Sequence, residues 1–368
     1  DALSKLIPMQ PGRNITLDEA IAEVPEFKDA IENDDEYKEI IRIAKPLEGL
    51  TRNLGMHAGG VLIAPGKLTD FCPLYNSDGR PENTISQFDK KDVENVGLVK
   101  FDFLGLTTLS ILAKAVEIID KLYPEQHFEL ERIPVDDAAT YELFQQANTA
   151  AVFQFESDGM RGLLKQARPD RLEDLVALNA LYRPGPMDFI PAYIKGKDHP
   201  ESITYDCPEL EPILAPTYGC IVYQEQVMEI CRVAAGYSYG RADLVRRAMA
   251  KKKHDVMEKE RNIFLYGNKN DDGTTECCGA IANGINEKTA NEIFDEMSGF
   301  ASYAFNKSHA AAYAYLSYQT AYLKCHYMKE YMAALMSSVL GNTDKLSEYV
   351  EECRQNEIKI LRPDIKLC

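Results

Sequence analysis

The 368 residues are 45% hydrophobic and carry a net charge of −17, which suits two or three domains with an ordinary core and excludes a disordered tail or linker. No run approaches the about 18 apolar residues of a membrane span, and Asp1-Ala-Leu-Ser-Lys5 has no signal pattern, so a soluble cytosolic protein with no membrane partner is expected. The 9 cysteines include no Cys-x-x-Cys and the 6 histidines lack ligand spacing, so reduced thiols and no structural zinc are expected.

Residues 1–57 read as a small helical unit: Thr16-x-x-Glu19 has the capping-box spacing, and Ile21, Val24, Phe27 and Ile31 recur at helical intervals. From His57-Ala-Gly-Gly60 the pattern changes to short strands, Val61 to Ala64, Thr84 to Phe88 and Leu98 to Phe103, separated by Pro, Asn and Gly turns. On the last of these, strand alternation sends Phe101 and Phe103 to one face and Lys100 and Asp102 to the other. The aromatic face is the candidate core. The charged face needs water, a partner or a metal ion.

After Gly105 helices dominate. Thr107 or Thr108 is the expected N-cap of a helix whose apolar stripe is Ile111, Leu112, Ala115, Ile118, Ile119 and Leu122. Arg183-Pro-Gly-Pro186 fits a type II turn holding Arg183 in one direction. Asn268 to Thr275 reads as a polar surface loop.

A negative net charge argues against a nucleic-acid partner, but its distribution is uneven. Arg241 to Lys253 carries six basic residues and one acid, and local charge decides a binding face. A helix starting near Gly240 would place Arg246, Arg247, Lys251, Lys253 and His254 within roughly 160°, with Val245, Met249 and Val256 on another face. Such a helix either binds phosphate or is a solvated surface.

In Phe305-Asn-Lys-Ser-His309, Ser308 is the expected N-cap, so that Lys307 and free backbone N–H groups would form an anion site. His309, Tyr313 and Leu316 share a helix face and either wall a base or sugar pocket or, with Ser308 merely a cap, belong with the tyrosines to the core; Tyr315, Tyr318 and Tyr322 lie on a different face, expected to be core. Asp102 as a metal ligand needs further carboxylates, and there is no Asp-x-Asp pair. The alternative is an Asp102–Lys100 pair at a strand end.

Taken together, Asn53-Leu-Gly-Met-His-Ala-Gly-Gly60, Gly97-Leu-Val-Lys-Phe-Asp-Phe-Leu-Gly-Leu106, Phe153-Gln-Phe-Glu156, Arg183-Pro-Gly-Pro186, Tyr223-Gln-Glu-Gln226, Arg246-Arg-Ala-Met249 and Phe305-Asn-Lys-Ser-His309 closely resemble, in order and spacing, the bacterial C-family replicative DNA polymerases, the DNA polymerase III alpha-subunit family. The resemblance implies a mainly α fold with a small mixed α/β part: a helical thumb over residues 1–57, an incomplete polymerase beta-like nucleotidyltransferase palm sheet over 58–106, and large helical fingers over 107–368.

It further implies template-directed DNA synthesis, with a primer 3′-hydroxyl attacking a dNTP in a two-Mg2+ mechanism. Asp102 is then a catalytic carboxylate and metal ligand, and Lys100 lies beside the primer terminus or substrate. Arg246, Arg247 and Lys307 hold the triphosphate, with Asn306 in the same nucleotide-binding cluster, and His309 and Tyr313 contact sugar and base. Arg183, Lys251 and Lys253 are the nucleic-acid-binding candidates.

The other two carboxylates of that family have no counterpart here, so the chain alone is expected to be inactive and not to hold Mg2+ stably. Implied partners are primer-template DNA and dNTP. The sliding clamp, clamp loader and other replisome subunits would be met through regions absent from this chain, in the bacterial cytoplasm at the nucleoid. The competing reading is a non-catalytic nucleic-acid-binding helical module.

Overall fold

The computed structural model describes residues 3–7, 15–50, 54–57, 59–250, 254–270, 272–301 and 303–361. They are mostly helical, with three two-stranded antiparallel sheets. The chain divides into two compact units, 1–106 and 107–368.

The first unit opens with α1 (Leu17–Glu23), α2 (Pro25–Asn33) and α3 (Asp35–Ala44). The capping box is present: Glu19 N–H donates to Thr16 Oγ1 at 3.2 Å, and Thr16 N–H donates to Glu19 Oε2 at 2.8 Å. Pro25 at N1 of α2 leaves Val24 extended (ψ 98°), so the apolar repeat spans two helices rather than one. Its members meet in a small core around Ala20, Phe27 and Ile41.

Four short strands follow: β1 (Gly60–Ile63), β2 (Leu74–Tyr75), β3 (Ile85–Ser86) and β4 (Val99–Asp102), with the single helical turn α4 (Asp92–Asn95) before β4. β1 pairs with β4, matching Gly60 with Asp102, Val61 with Phe101, Leu62 with Lys100 and Ile63 with Val99. A second core, Cys72, Val93 and Leu98, packs against Leu62.

That packing reverses the expected faces of the sheet. The side that meets the core is the one bearing Leu62, whereas Val61, Ile63, Val99, Phe101 and Phe103 are 44–67% exposed. Phe101 and Phe103 stack on each other at 6.1 Å instead of entering a core. Alternation assigned the residues to faces correctly, but which face is covered depends on where the β2–β3 ribbon and α4 cross.

The second unit comprises α5 (Thr107–Leu122), α6 (Ala138–Gln145), α7 (Asp158–Ala167), α8 (Leu172–Leu181), α9 (Ile190–Asp198), α10 (Glu211–Leu214), α11 (Gln224–Ala235), α12 (Tyr239–Ala250), α13 (His254–Tyr266), α14 (Glu287–Ala301), α15 (Lys307–His326), α16 (Met328–Ser338) and α17 (Thr343–Gln355). The α5 stripe buries Ile111, Leu112, Ala115 and Ile119, while Leu122 at the helix end is exposed. Asn268 to Thr275 is not simply a loop: β5 (Asn268–Lys269) pairs with β6 (Thr275–Cys277).

At the centre α15 packs on α8, and α16 packs on α5. Ala310, Ala314 and Ala321 of α15 are fully buried, and such small side chains let helix axes approach closely. Facing it, α8 buries Leu175, Val176, Ala177, Leu178, Ala180 and Leu181, apolar around most of its circumference as an interior helix must be. Tyr318 is core as expected, its hydroxyl donating to Pro134 O at 2.7 Å. Tyr322 packs half-buried against that core, and Tyr315 is half-buried.

Candidate functional site

Asp102 ends β4 with its side chain 53% exposed, and among the described residues the His57 ring lies beside it, Nε2 3.8 Å from Oδ2. That spacing permits charge attraction but is too long for a hydrogen bond. The proposed Lys100 pairing is not formed: Lys100 Nζ donates to Lys90 O at 3.1 Å and meets Glu94 Oε1 at 3.0 Å. Lys100 and Asp102 share a face two residues apart, but α4 and the turn before it capture the lysine.

The approach of His57 to Asp102 depends on Gly59. A side chain there would bring Cβ to 2.8 Å from Phe103 O, and Phe103 N–H donates to Gly59 O at 2.7 Å. Gly59→Ala is therefore expected to lower stability of the first unit by about 1–3 kcal/mol, read as a drop in thermal melting temperature; an unchanged melt would contradict the close approach. His57 was not singled out as a site residue from sequence, although it stands in the quoted His-Ala-Gly-Gly run.

One carboxylate and one imidazole do not fit a site for two divalent ions about 4 Å apart, which needs several oxygen ligands. Among the described residues the grouping with metal-ligand proximity is Asp137, Cys325 and His326. Its carboxylate already caps α6, with Oδ2 accepting from Thr140 N–H at 2.8 Å and Thr140 Oγ1 at 2.6 Å and lying 2.9 Å from His326 Nε2. Those bonds account for the grouping without an ion.

In the second unit the basic segment is not one continuous described helix. α12 ends at Ala250 and α13 begins at His254, so His254 belongs to a different helix, while Lys251 and Lys253 lie outside the described residues. Of the expected apolar face, Val245 and Met249 are buried, while the side chain of Val256 lies outside the described residues. The lone acid of the run is decisive: Asp243 Oδ1 accepts from Arg246 NH2 at 2.6 Å, and Asp243 Oδ2 meets Arg247 NH2 at 2.8 Å. The Arg246 hydrogen bond, aided by both charges, outweighs burial and holds the Asp243 carboxyl below its usual value. Arg246 is largely covered, whereas Arg247 is 63% exposed.

At the start of α15 the cap is Asn306, not Ser308, because the helix begins two residues earlier than expected. Asn306 Oδ1 accepts from His309 N–H at 2.8 Å, and Lys307 N–H donates to Glu225 Oε2 at 3.0 Å. The Lys307 and His309 N–H groups are thus taken, and the Lys307 ammonium lies 5.5 Å from the Tyr223 ring centre. Asn306 Nδ2 donates to Glu225 Oε1 at 3.1 Å, so this side chain is committed on both sides.

His309 and Tyr313 share a face as expected, their rings stacked at 4.4 Å and 15°. Phe305 abuts His309 edge-on at 5.1 Å, and Phe153 meets Tyr313 at 5.5 Å, extending the row to four rings. Arg183 lies 4.3 Å over Phe305 and donates to Ala180 O at 2.9 Å and Tyr303 O at 2.8 Å. It is a support for this row rather than an outward cation. Gly185 has the positive φ expected, 99°, but its ψ of −70° departs from a type II turn and leads into a 3-10 turn, Pro186–Phe189. Sequence reasoning quoted Tyr223-Gln-Glu-Gln226 without assigning Glu225 a partner.

Two family models match in chain order: the bacterial DNA polymerase III alpha NTPase domain over residues 1–105 and the bacterial DNA polymerase III alpha subunit finger domain over 108–272. The chain is 50% identical over 368 residues to the DNA polymerase III subunit alpha of Neisseria meningitidis serogroup B, and 48% identical over 375 aligned residues to those of Escherichia coli K12 and Pseudomonas aeruginosa. Each alignment takes in 99% of this chain, which spans about 30% of the length of these relatives. Matched by two successive domain models and about half identical along nearly its whole length to its relatives, the chain belongs to the bacterial DNA polymerase III alpha-subunit family.

Proposed function

We propose that the full-length polypeptide bearing this chain carries out template-directed DNA synthesis in chromosomal replication, and that residues 1–57, 58–106 and 107–368 serve as thumb, returning palm and fingers. The observation that carries the reading is the match of both domain models together with about 50% identity over 99% of the chain to proteins named DNA polymerase III subunit alpha. In this reading Asp102 supplies one catalytic carboxylate. The remaining Mg2+ ligands come from outside this chain, which by itself is inactive.

The second unit supplies nucleotide contacts. Lys307, over the Tyr223 ring, and the His309–Tyr313 stack of the same helix offer a cation and flat aromatic surface, which suit a phosphate and a base or sugar. Arg247 is the more available arginine of α12, and Arg246 reaches a triphosphate only by sharing or leaving Asp243. Primer-template DNA is the macromolecular partner, with Lys251 and Lys253 its backbone contacts and a cytoplasmic, nucleoid-associated location. Clamp, clamp loader and other replisome contacts belong to other parts of the polypeptide. Among the described residues no helix is long and apolar enough to cross a membrane.

The experiment is primer extension by the full-length enzyme carrying Arg246→Ala and Arg247→Ala. Losing both guanidinium groups is expected to raise KM for dNTP about tenfold or more. An unchanged KM would remove both arginines from the triphosphate site.

A further inference from the structure

We propose that Glu225 is a positioning residue that aims Lys307 and the His309–Tyr313 stack at the nucleotide; this rests on the nucleotide reading given above. The segment before α11 and the segment before α15 form a parallel bridge at Tyr223 and Phe305. Phe305 N–H donates to Val222 O at 3.2 Å and Gln224 N–H donates to Phe305 O at 2.9 Å. Gln224 Nε2 adds a bond to Ala304 O at 3.1 Å. Buried Gln226 closes the α11 side of this clasp, its Oε1 accepting from Val222 and Tyr223 N–H and its Nε2 donating to Thr217 Oγ1 at 2.7 Å.

Glu225 is the member that reaches the start of α15. Its two oxygens accept separately from Asn306 Nδ2 and Lys307 N–H. A carboxylate gives each of two converging donors its own oxygen, and negative charge is favoured at a helix N-terminus. With Asn306 held there, its Oδ1 stays on His309 N–H, which fixes the first turn from which Lys307 and His309 project. An amide at position 225 keeps one bond and presents N–H to the other donor.

Charge alone predicts the opposite outcome from positioning. Deleting a carboxylate next to a phosphate-binding lysine would tighten nucleotide binding if Glu225 merely competed with phosphate, whereas loss of an aiming contact weakens it. Steady-state primer extension by the full-length enzyme separates the two, using Glu225→Ala, Glu225→Gln, Lys307→Ala and the Glu225→Ala/Lys307→Ala pair.

Glu225→Ala is expected to raise KM for dNTP about tenfold with kcat within about twofold, and Glu225→Gln about threefold. The double variant should fall short of the two single penalties combined, because the part of the Glu225 effect that acts through Lys307 is already lost. A KM that is unchanged or lower in Glu225→Ala, or an additive penalty in the double variant, overturns the proposal. Should the alanine variant fail to fold, Glu225→Gln carries the test through its own KM, and wild-type KM there refutes it. An effect of Lys307→Ala with none from Glu225 leaves the nucleotide reading standing without the clasp; no effect of Lys307→Ala removes both.

Discussion

Asp102→Asn in the full-length enzyme is expected to reduce nucleotide incorporation on the order of a thousandfold or more while leaving the fold intact. Under the proposed role of Asp102 as a catalytic carboxylate, the activity loss follows from asking an amide to replace anionic oxygen. Stability should hold because the side chain is half exposed and the His57 ring beside it is 3.8 Å away, so the isosteric amide breaks no hydrogen bond seen in the structure. Exposed substitutions of this kind change stability by about 0.5 kcal/mol or less. Extension assays paired with thermal melts check both halves. Polymerisation at a near-normal rate would favour the non-catalytic nucleic-acid-binding module instead.

The second large effect concerns stability. Asp174 on α8 is 1% exposed and accepts from Tyr193 OH at 3.1 Å, Tyr218 OH at 3.0 Å and Asp170 N–H at 3.2 Å, with Lys197 as its close ionic partner. Replacing it with alanine leaves Lys197, itself 11% exposed, without its buried counter-charge and strands two tyrosine hydroxyls. The expected cost is about 3–5 kcal/mol, read as a lower midpoint in denaturant unfolding followed by circular dichroism. An unchanged midpoint would mean that water or rearrangement satisfies the freed groups at little cost.

The same residue sets a pH dependence. Burial pushes the Asp174 carboxyl up, but the hydrogen bond and charge of Lys197, with the Asp170 and Tyr218 bonds, hold it below the ordinary value of 3.8. A carboxyl depressed in the folded state stabilises fully above its unfolded value, and that contribution is lost as pH falls through the folded one. The wild type should therefore keep this contribution near neutrality and lose it below about pH 4. Asp174→Asn should flatten that acid-side slope, and an identical slope in the two proteins would exclude Asp174 as its source.

Much of the local structure was legible. Thr16 and Glu19 announced a capping box through spacing alone, since both bonds lie within one turn. The buried members of the α5 stripe and the shared face of His309 and Tyr313 followed from helical geometry. The mainly helical fold with a small mixed part was readable for the same reason, and the collinear motifs point to the family.

What failed concerned partners rather than periodicity. Asp243 was counted as one acid among six bases, yet its place three and four residues before Arg246 and Arg247 lets it hold both. Ser308 lost the cap to Asn306 because Glu225, 81 residues earlier, anchors the asparagine. The turn was expected to hold Arg183 in one direction, but not to hand its guanidinium to the carbonyls of Ala180 and Tyr303 and the Phe305 ring.

By itself, then, the sequence determined the helical character, the alternation that puts Lys100 with Asp102 and Phe101 with Phe103, and the family. Only the tertiary structure decided that the aromatic face of β4 is exposed, that Lys100 turns to Glu94, and that Glu225 reaches the start of α15. The physical reason is range. Periodicity and capping are set by neighbours within about one turn or two strand positions, whereas the covering of a face and the partner of a charge depend on which distant segments the fold brings alongside.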